Sequence, residues 1–232
     1  MTTLPHIEPL ADNAWLIELG TGIDDATLRH VHALAARLQL ARPGWLLDLV
    51  PAYASLGVFF DPARAAPDAV HDWLREQLQA EAGGGRSMTT AETIEIPVAY
   101  GGEYGPDLID AALELGLDPD TLVSRHASGD YTVAMIGFAP GFPYLAGLDP
   151  ALALPRLETP RTCVPAGTVA IGGVQTGIYP RESPGGWRLL GRTPLQLFDA
   201  GREPPVPLQP GDRVRFVPID TDRFERLLRS DR

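Results

Sequence analysis

Between residues 137 and 194 the chain gathers side chains that could build a binding site. Gly137-Phe138-Ala139-Pro140-Gly141-Phe142-Pro143-Tyr144-Leu145 sets three aromatic rings among turn-forming residues. One or two such rings fit a barrel core. Three in one irregular loop point to the mouth of a pocket, with core packing as the competing role. Gln175-Thr176-Gly177-Ile178-Tyr179-Pro180 follows a Gly172-Gly173 bend and offers an amide, a hydroxyl and a phenol. A Gln among glycines has little to do in a core, so Gln175 is the strongest candidate for pocket lining. Ser183-Pro184-Gly185-Gly186-Trp187 is a stiff, then permissive turn whose large ring suits a core better than a ligand contact, and Gly191-Arg192-Thr193-Pro194 puts a guanidinium just after a strand.

Familiar catalytic signatures are missing from the sequence. It has no phosphate loop of the G-x-x-x-x-G-K-[ST] type, no strand followed by G-x-G-x-x-G, and no G-x-S-x-G elbow. Gly172-Gly173 reads as a turn, not a phosphate cradle. His30 and His32 diverge on a helix, and with His6, His71 and His126 they give no metal spacing, so no metal is expected on this chain. Asp118 and Asp120 flank Pro119 at a helix start, where capping explains them better than calcium does.

The elements that must carry these residues fall into two halves. Ala14-Trp15-Leu16-Ile17-Glu18-Leu19 reads as a strand. Residues 24–40 place Leu28, Val31, Leu34, Ala35 and Leu38 on one helical face, with Asp24 or Asp25 as N-cap and Pro43-Gly44 as the stop. Residues 45–53 and 56–60 are strand-like. Residues 67–81 form a second helix with Val70, Trp73, Leu74 and Leu78 facing inward. This β-α-β-β-α order, completed by a strand at residues 93–98, suggests a ferredoxin-like α/β unit. The triple glycine Gly83-Gly84-Gly85 marks the domain boundary, giving domains 1–88 and 89–232. Beyond it, residues 107–115 and 118–126 read as a short helical pair with Gly116 as C-cap. Short β-type runs follow at 131–136, 168–171, 189–191 and 213–217, then a terminal helix at 221–228. Gly and Pro crowd residues 137–194, which excludes long helices and implies short strands joined by close turns, as in a barrel.

Composition narrows the functional classes. With 232 residues and 44% hydrophobic content the chain can bury a core, and a formal charge of −11 with scattered basic residues argues against a nucleic-acid partner. Its apolar stretches are too short to span a bilayer, and residues 1–5 lack a signal-peptide pattern, so a cytoplasmic location is expected. Cys163, the single cysteine, can form no internal disulfide.

Residues 137–148, Pro160-Arg161, Val164-Pro165-Ala166-Gly167, Ile171-Gly172-Gly173, residues 175–180, 183–187 and 191–194 together resemble the signature of the family of KipI and the 5-oxoprolinase B subunits, also labelled allophanate hydrolase subunit 1. Tyr100-Gly101-Gly102-Glu103-Tyr104-Gly105-Pro106-Asp107-Leu108, His126 and Phe198-Asp199 extend the match. The resemblance is dense from residue 100 to 199 and loose over the first 90. It implies an α+β chain, with a ferredoxin-like domain followed by a cyclophilin-like β-barrel. Family members serve as the B component of a three-component, ATP-dependent 5-oxoprolinase, as halves of a urea carboxylase carboxyltransferase, or as an inhibitor of a sporulation histidine kinase. The first role implies A and C partner subunits, 5-oxo-L-proline as substrate, and ATP used by the complex at a site not on this chain alone.

A five-membered lactam is a stabilised amide, and ATP coupling through phosphorylation of its oxygen would make the carbon electrophilic before water attacks. Such a site needs cations or amide donors for the substrate carboxylate and for developing charge. The resemblance thus makes Arg161 and Arg192 candidates for anion recognition, Gln175 and Tyr179 for hydrogen bonds to the lactam, and His126 for general base. Each has a plainer alternative. His126 near a helix end could satisfy carbonyls, Arg161 could fix a loop by an ion pair, and Tyr179 before Pro180 could pack a turn. The expected site is a concavity lined by Phe142, Arg161, Gln175, Tyr179 and Arg192, with loop 138–148 as partner surface.

Overall fold

A computed structural model describes residues 5–80 and 93–230. Residues 5–80 fall in one compact unit and residues 93–230 in another. The triple glycine and the expected 88/89 boundary lie outside the described residues.

The first unit is a four-stranded antiparallel sheet with two helices. Its elements are β1 (His6–Ala11), β2 (Ala14–Glu18), α1 (Asp25–Ala41), β3 (Leu46–Pro51), β4 (Ser55–Phe60) and α2 (Pro67–Ala80). Asp24 caps α1 through its carboxylate, which accepts the Thr27 N–H at 2.9 Å and the Thr27 hydroxyl at 2.7 Å. Val31, Leu34 and Leu38 of α1 and Val70 and Leu74 of α2 then recur at helical spacing and bury against Ile17, Leu56, Val58 and Phe60 of the sheet. The sheet order is β1-β2-β4-β3. One expectation is corrected: residues 93–98 do not complete this sheet, and the place beside β2 is taken by β1. Pro9 hid β1 in the sequence, because proline within a run argues against a strand. At a sheet edge, where the missing N–H is not needed, proline is tolerated.

The second unit is built on a closed seven-stranded barrel of order β10-β7-β6-β13-β5-β12-β9. Its strands are β5 (Thr93–Tyr100), β6 (Tyr131–Ile136), β7 (Pro143–Ala146), β9 (Thr168–Gly172), β10 (Gln175–Ile178), β12 (Arg188–Arg192) and β13 (Arg213–Pro218). All neighbouring pairs are antiparallel except β13 with β5. Helices α3 (Leu108–Leu115) and α4 (Pro119–Ala127) pack together, α3 against β12 and α4 against β13. Gly116 ends α3 in the left-handed region at φ 66°, and Asp118 caps α4 by accepting from Thr121, which is the capping role expected of it. A ribbon of β8 (Arg161–Val164) and β11 (Ser183–Gly185) pairs outside the barrel. Helix α5 (Thr221–Ser230) buries Phe224 against Tyr104 and Ala99.

Strand alternation gives the barrel wall two apolar sides. Val169, Ile171, Ile178 and Leu190 join Val133, Leu145, Val214 and Phe216 in the main core. Ala170, Leu189 and Tyr179 face the other way and pack with Phe142, Trp187 and Val164 of the ribbon in a second, smaller core. No helix among the described residues is long and apolar enough to cross a membrane.

Candidate functional site

That outer core is where the sequence-derived candidates partly converge. Phe142 is its hub, with ring centroids 4.7 Å from Tyr144, 5.2 Å from Tyr179, 5.6 Å from Trp187 and 5.4 Å from Phe138. Most of these contacts are edge-to-face, the arrangement the ring quadrupole favours. Two glycines make room for the rings. A Cβ on Gly172 would lie 2.6 Å from the Trp187 indole, and one on Gly185 would collide with the Tyr179 hydroxyl.

Two guanidinium groups border this face. Arg156 places its Cζ 5.7 Å over the Trp187 ring, a cation–π contact. Arg161 donates through Nη2 to Asp107 Oδ1 at 2.6 Å, and Asp107 Oδ2 accepts the Leu189 N–H at 2.8 Å. Asp107 thus ties the ribbon to the barrel wall at the start of α3. Arg161 Nη1 is buried and has no hydrogen-bond partner among the described residues. Burial pushes the Tyr179 phenol above its ordinary range, while the Trp187 backbone N–H and the charges of Arg156 and Arg161 oppose that rise. At neutral pH the phenol therefore keeps its proton and can donate it in a hydrogen bond. Phe142, Tyr179 and Trp187 are buried against one another, so this is a packed aromatic core with a neutral phenol, bordered by two cations.

Phe138 stands at the edge of this wall in a strained conformation. Its φ is 64°, and the Ala139 N–H donates to the Gly137 carbonyl at 2.7 Å across it, closing a γ-turn of the unfavourable hand. For a bulky residue this costs about 1–3 kcal/mol. The ring so presented is 61% exposed.

The expected catalytic group is divided by the barrel wall. Thr176 and Ile178 point into the main core, whereas Gln175 and Tyr179 share the outer side of the same strand. Gln175 is half-buried at the far end of β10, about 13 Å of strand from Tyr179. Arg192 donates through Nε to the Ala166 carbonyl at 2.6 Å and latches the turn before β9. Phe142, Tyr179 and Arg161 come together; Gln175 and Arg192 lie apart from them.

His126 is in the main core, fully buried. The Thr176 hydroxyl donates to the Ala170 carbonyl at 2.9 Å, so its oxygen must accept the proton of His126 Nε2 at 3.0 Å. Nδ1 then accepts from the Tyr100 hydroxyl at 2.8 Å. The ring stacks on Phe216 with centroids 4.7 Å apart. Burial lowers its pKa to about 3. Both ring nitrogens are occupied, so this geometry gives His126 no lone pair for a substrate proton. Nor does the side chain satisfy helix-end carbonyls; the His126 carbonyl itself accepts from Tyr131 at 2.7 Å.

Sequence reasoning passed over Arg156, Asp107 and the strain at Phe138. A signal for Arg156 was present, since Pro155-Arg156 repeats the Pro160-Arg161 dipeptide five residues earlier. Strain at Phe138 has no sequence signature. The Gly172-Gly173 turn offers no phosphate cradle, because the Gly173 N–H is spent on the Leu154 carbonyl at 2.7 Å. Among the described residues no three His, Cys, Asp or Glu side chains cluster to hold a metal.

Comparison with known proteins places this architecture. The family model for the carboxyltransferase domain, subdomain C and D, matches residues 5–208. The 5-oxoprolinase B subunit of Bacillus subtilis (strain 168) is 40% identical over 233 residues, covering 94% of this chain and 95% of that protein. The protein of the same name from Escherichia coli O157:H7 is 42% identical over 210 residues, covering 90% and 94%. Among solved structures, TTHA0988 superposes with a TM-score of 0.77 at 42% identity over 89% of this chain, which spans 40% of that longer polypeptide. Matched nearly end to end by two such relatives, and with a barrel shared with TTHA0988, the chain belongs to the family of 5-oxoprolinase B subunits, within the carboxyltransferase C and D domains.

Proposed function

We propose that this chain is the B component of an ATP-dependent 5-oxoprolinase, working in the cytoplasm with A and C subunits to open 5-oxo-L-proline to L-glutamate. The observation that carries this reading is similarity to proteins of that name along almost the whole of both chains. In the same reading the barrel is of the cyclophilin-like kind, and the first unit is a ferredoxin-like fold in which β1 stands in for the closing strand.

The outer aromatic face supplies part of the shared site. Arg161, with Nη1 unpartnered, and Arg156 offer positive charge to the substrate carboxylate. Tyr179 is the donor to the lactam carbonyl, and Phe142 and Trp187, packed behind it, hold its ring in place. ATP binds elsewhere in the complex. The test is reconstitution. The chain alone should release no glutamate from 5-oxoproline, and the trio should do so with consumption of ATP. Arg161→Gln should cut kcat/KM of the trio by about tenfold or more, the weight of one charge-assisted hydrogen bond, with the melting temperature of the isolated chain as control. A trio that turns over no 5-oxoproline would end the assignment.

Phe138 is the docking anchor for a partner in the complex. Such backbone strain persists only where the surrounding structure over-determines it and clusters at ligand clamps and switch regions, and here it holds an exposed ring. That TTHA0988 carries its counterpart of this chain within a longer polypeptide supports a permanent neighbour. Phe138→Gly removes both the ring and the strain. The isolated variant should be as stable as the parent or about 1 kcal/mol more so. Its affinity for the partner should fall by about 2 kcal/mol, as for an aromatic hot spot. Unchanged assembly, measured by calorimetric titration, would remove the anchor.

A further inference from the structure

The first unit carries a concavity that the proposed reaction does not use. Between β1 and α2 lies a groove of about 330 Å³, lined chiefly by His6 and Ile7 of the strand and by His71, Arg75, Leu78 and Gln79 of the helix. The helical members recur at positions i, i+4 and i+7 or i+8, so one face of α2 presents them together. Every polar side chain in that lining can donate a hydrogen bond, and none is acidic. This holds in a chain where Asp and Glu outnumber Lys and Arg by 30 to 19. Two carboxylates flank the groove without lining it: Glu8 is 3.9 Å from His6 Nε2, and Asp72 is 3.6 Å from His71 Nδ1.

A second observation falls beside His71, one of the lining residues. The Trp15 indole packs on His71 with ring centroids 5.0 Å apart, and its Nε1 is buried with no hydrogen-bond partner among the described residues. A buried donor left unmet is costly, and such groups in native proteins call for an explanation. Guanidinium, imidazole and amide donors gathered on a groove with an apolar floor of Ile7 and Leu78 are complementary to an oxyanion on a short hydrocarbon body.

We infer that this groove is a binding site for a small oxyanion, a carboxylate or a phosphate group, held by Arg75 with His6, His71 and Gln79. It stands independently of the oxoprolinase reading. The experiment is an NMR titration of the full chain with inorganic phosphate, and separately with propionate, against sodium chloride at matched ionic strength. The Trp15 indole N–H and the His6 and His71 ring signals should shift saturably with at least one of the two anions, and the responding anion identifies the head group. Arg75→Gln should weaken that binding by about tenfold, one charge-assisted contact, at an unchanged melting temperature. His71→Gln, which keeps an amide donor, should weaken it less. Shifts that grow linearly, that chloride reproduces, or that Arg75→Gln leaves unaltered would overturn the site.

Discussion

Replacing Phe142 by alanine is expected to destabilise the barrel unit by about 3–5 kcal/mol, the range for deleting a buried phenylalanine ring. The ring is 2% exposed and touches four other aromatic rings. Its edge also closes on Gly177 of β10, where a Cβ would meet it at 3.0 Å. Truncation would leave a void between the barrel wall and the β8–β11 ribbon that these stiff rings and closely approached glycines cannot collapse to fill. Against a typical total of about 5–15 kcal/mol, the loss is large. It also favours core packing over the partner-surface role expected of loop 138–148 at this position. Denaturant unfolding followed by hydrogen exchange at the β7 and β10 amides measures it. A loss below about 1 kcal/mol, with assembly weakened instead, would return Phe142 to the partner surface.

Acid should weaken the same unit as pH falls below the ordinary imidazole range. The folded pKa of His126 is about 3, against an ordinary imidazole value of 6.5. Below pH 6.5 the unfolded chain takes up a proton at this side chain that the folded chain refuses. The stabilisation is therefore complete above pH 6.5 and is lost as pH falls toward 3, at about 1.4 kcal/mol per pH unit from this one group. Between pH 6.5 and 5 that amounts to about 2 kcal/mol. The Asp118 carboxyl of this unit, which Thr121 holds below its usual value, stays out of this window. His126→Gln should lower stability at pH 8, since the Tyr100 and Thr176 hydrogen bonds cannot both be replaced. It should also flatten the slope by one proton between pH 6.5 and 5. Parallel pH profiles for parent and variant would show that His126 does not carry the effect.

Much of this protein was legible in its residues. Period-3.6 patterns located α1 and α2, Asp24 and Asp118 marked helix starts, and the crowding of Gly and Pro indicated short strands closing a barrel. All of these are local: a cap, a turn or an amphipathic face is specified within a few residues of itself. The ordered motifs between residues 100 and 199 likewise specified the family.

Only the tertiary structure decided what lies beside what. The sequence could not say that Thr93–Tyr100 would leave the first sheet to pair with β12 and β13, because strand partners are chosen by long-range burial. His126 has the residue type of a base, but its ring partners Tyr100 and Thr176 are 26 and 50 residues away. Folding around them turned a titratable group into a neutral core residue. Strand β10 turned Thr176 inward to His126 and left Gln175 and Tyr179 on the outer side, so the barrel wall separates the expected base from the expected lactam-binding pair.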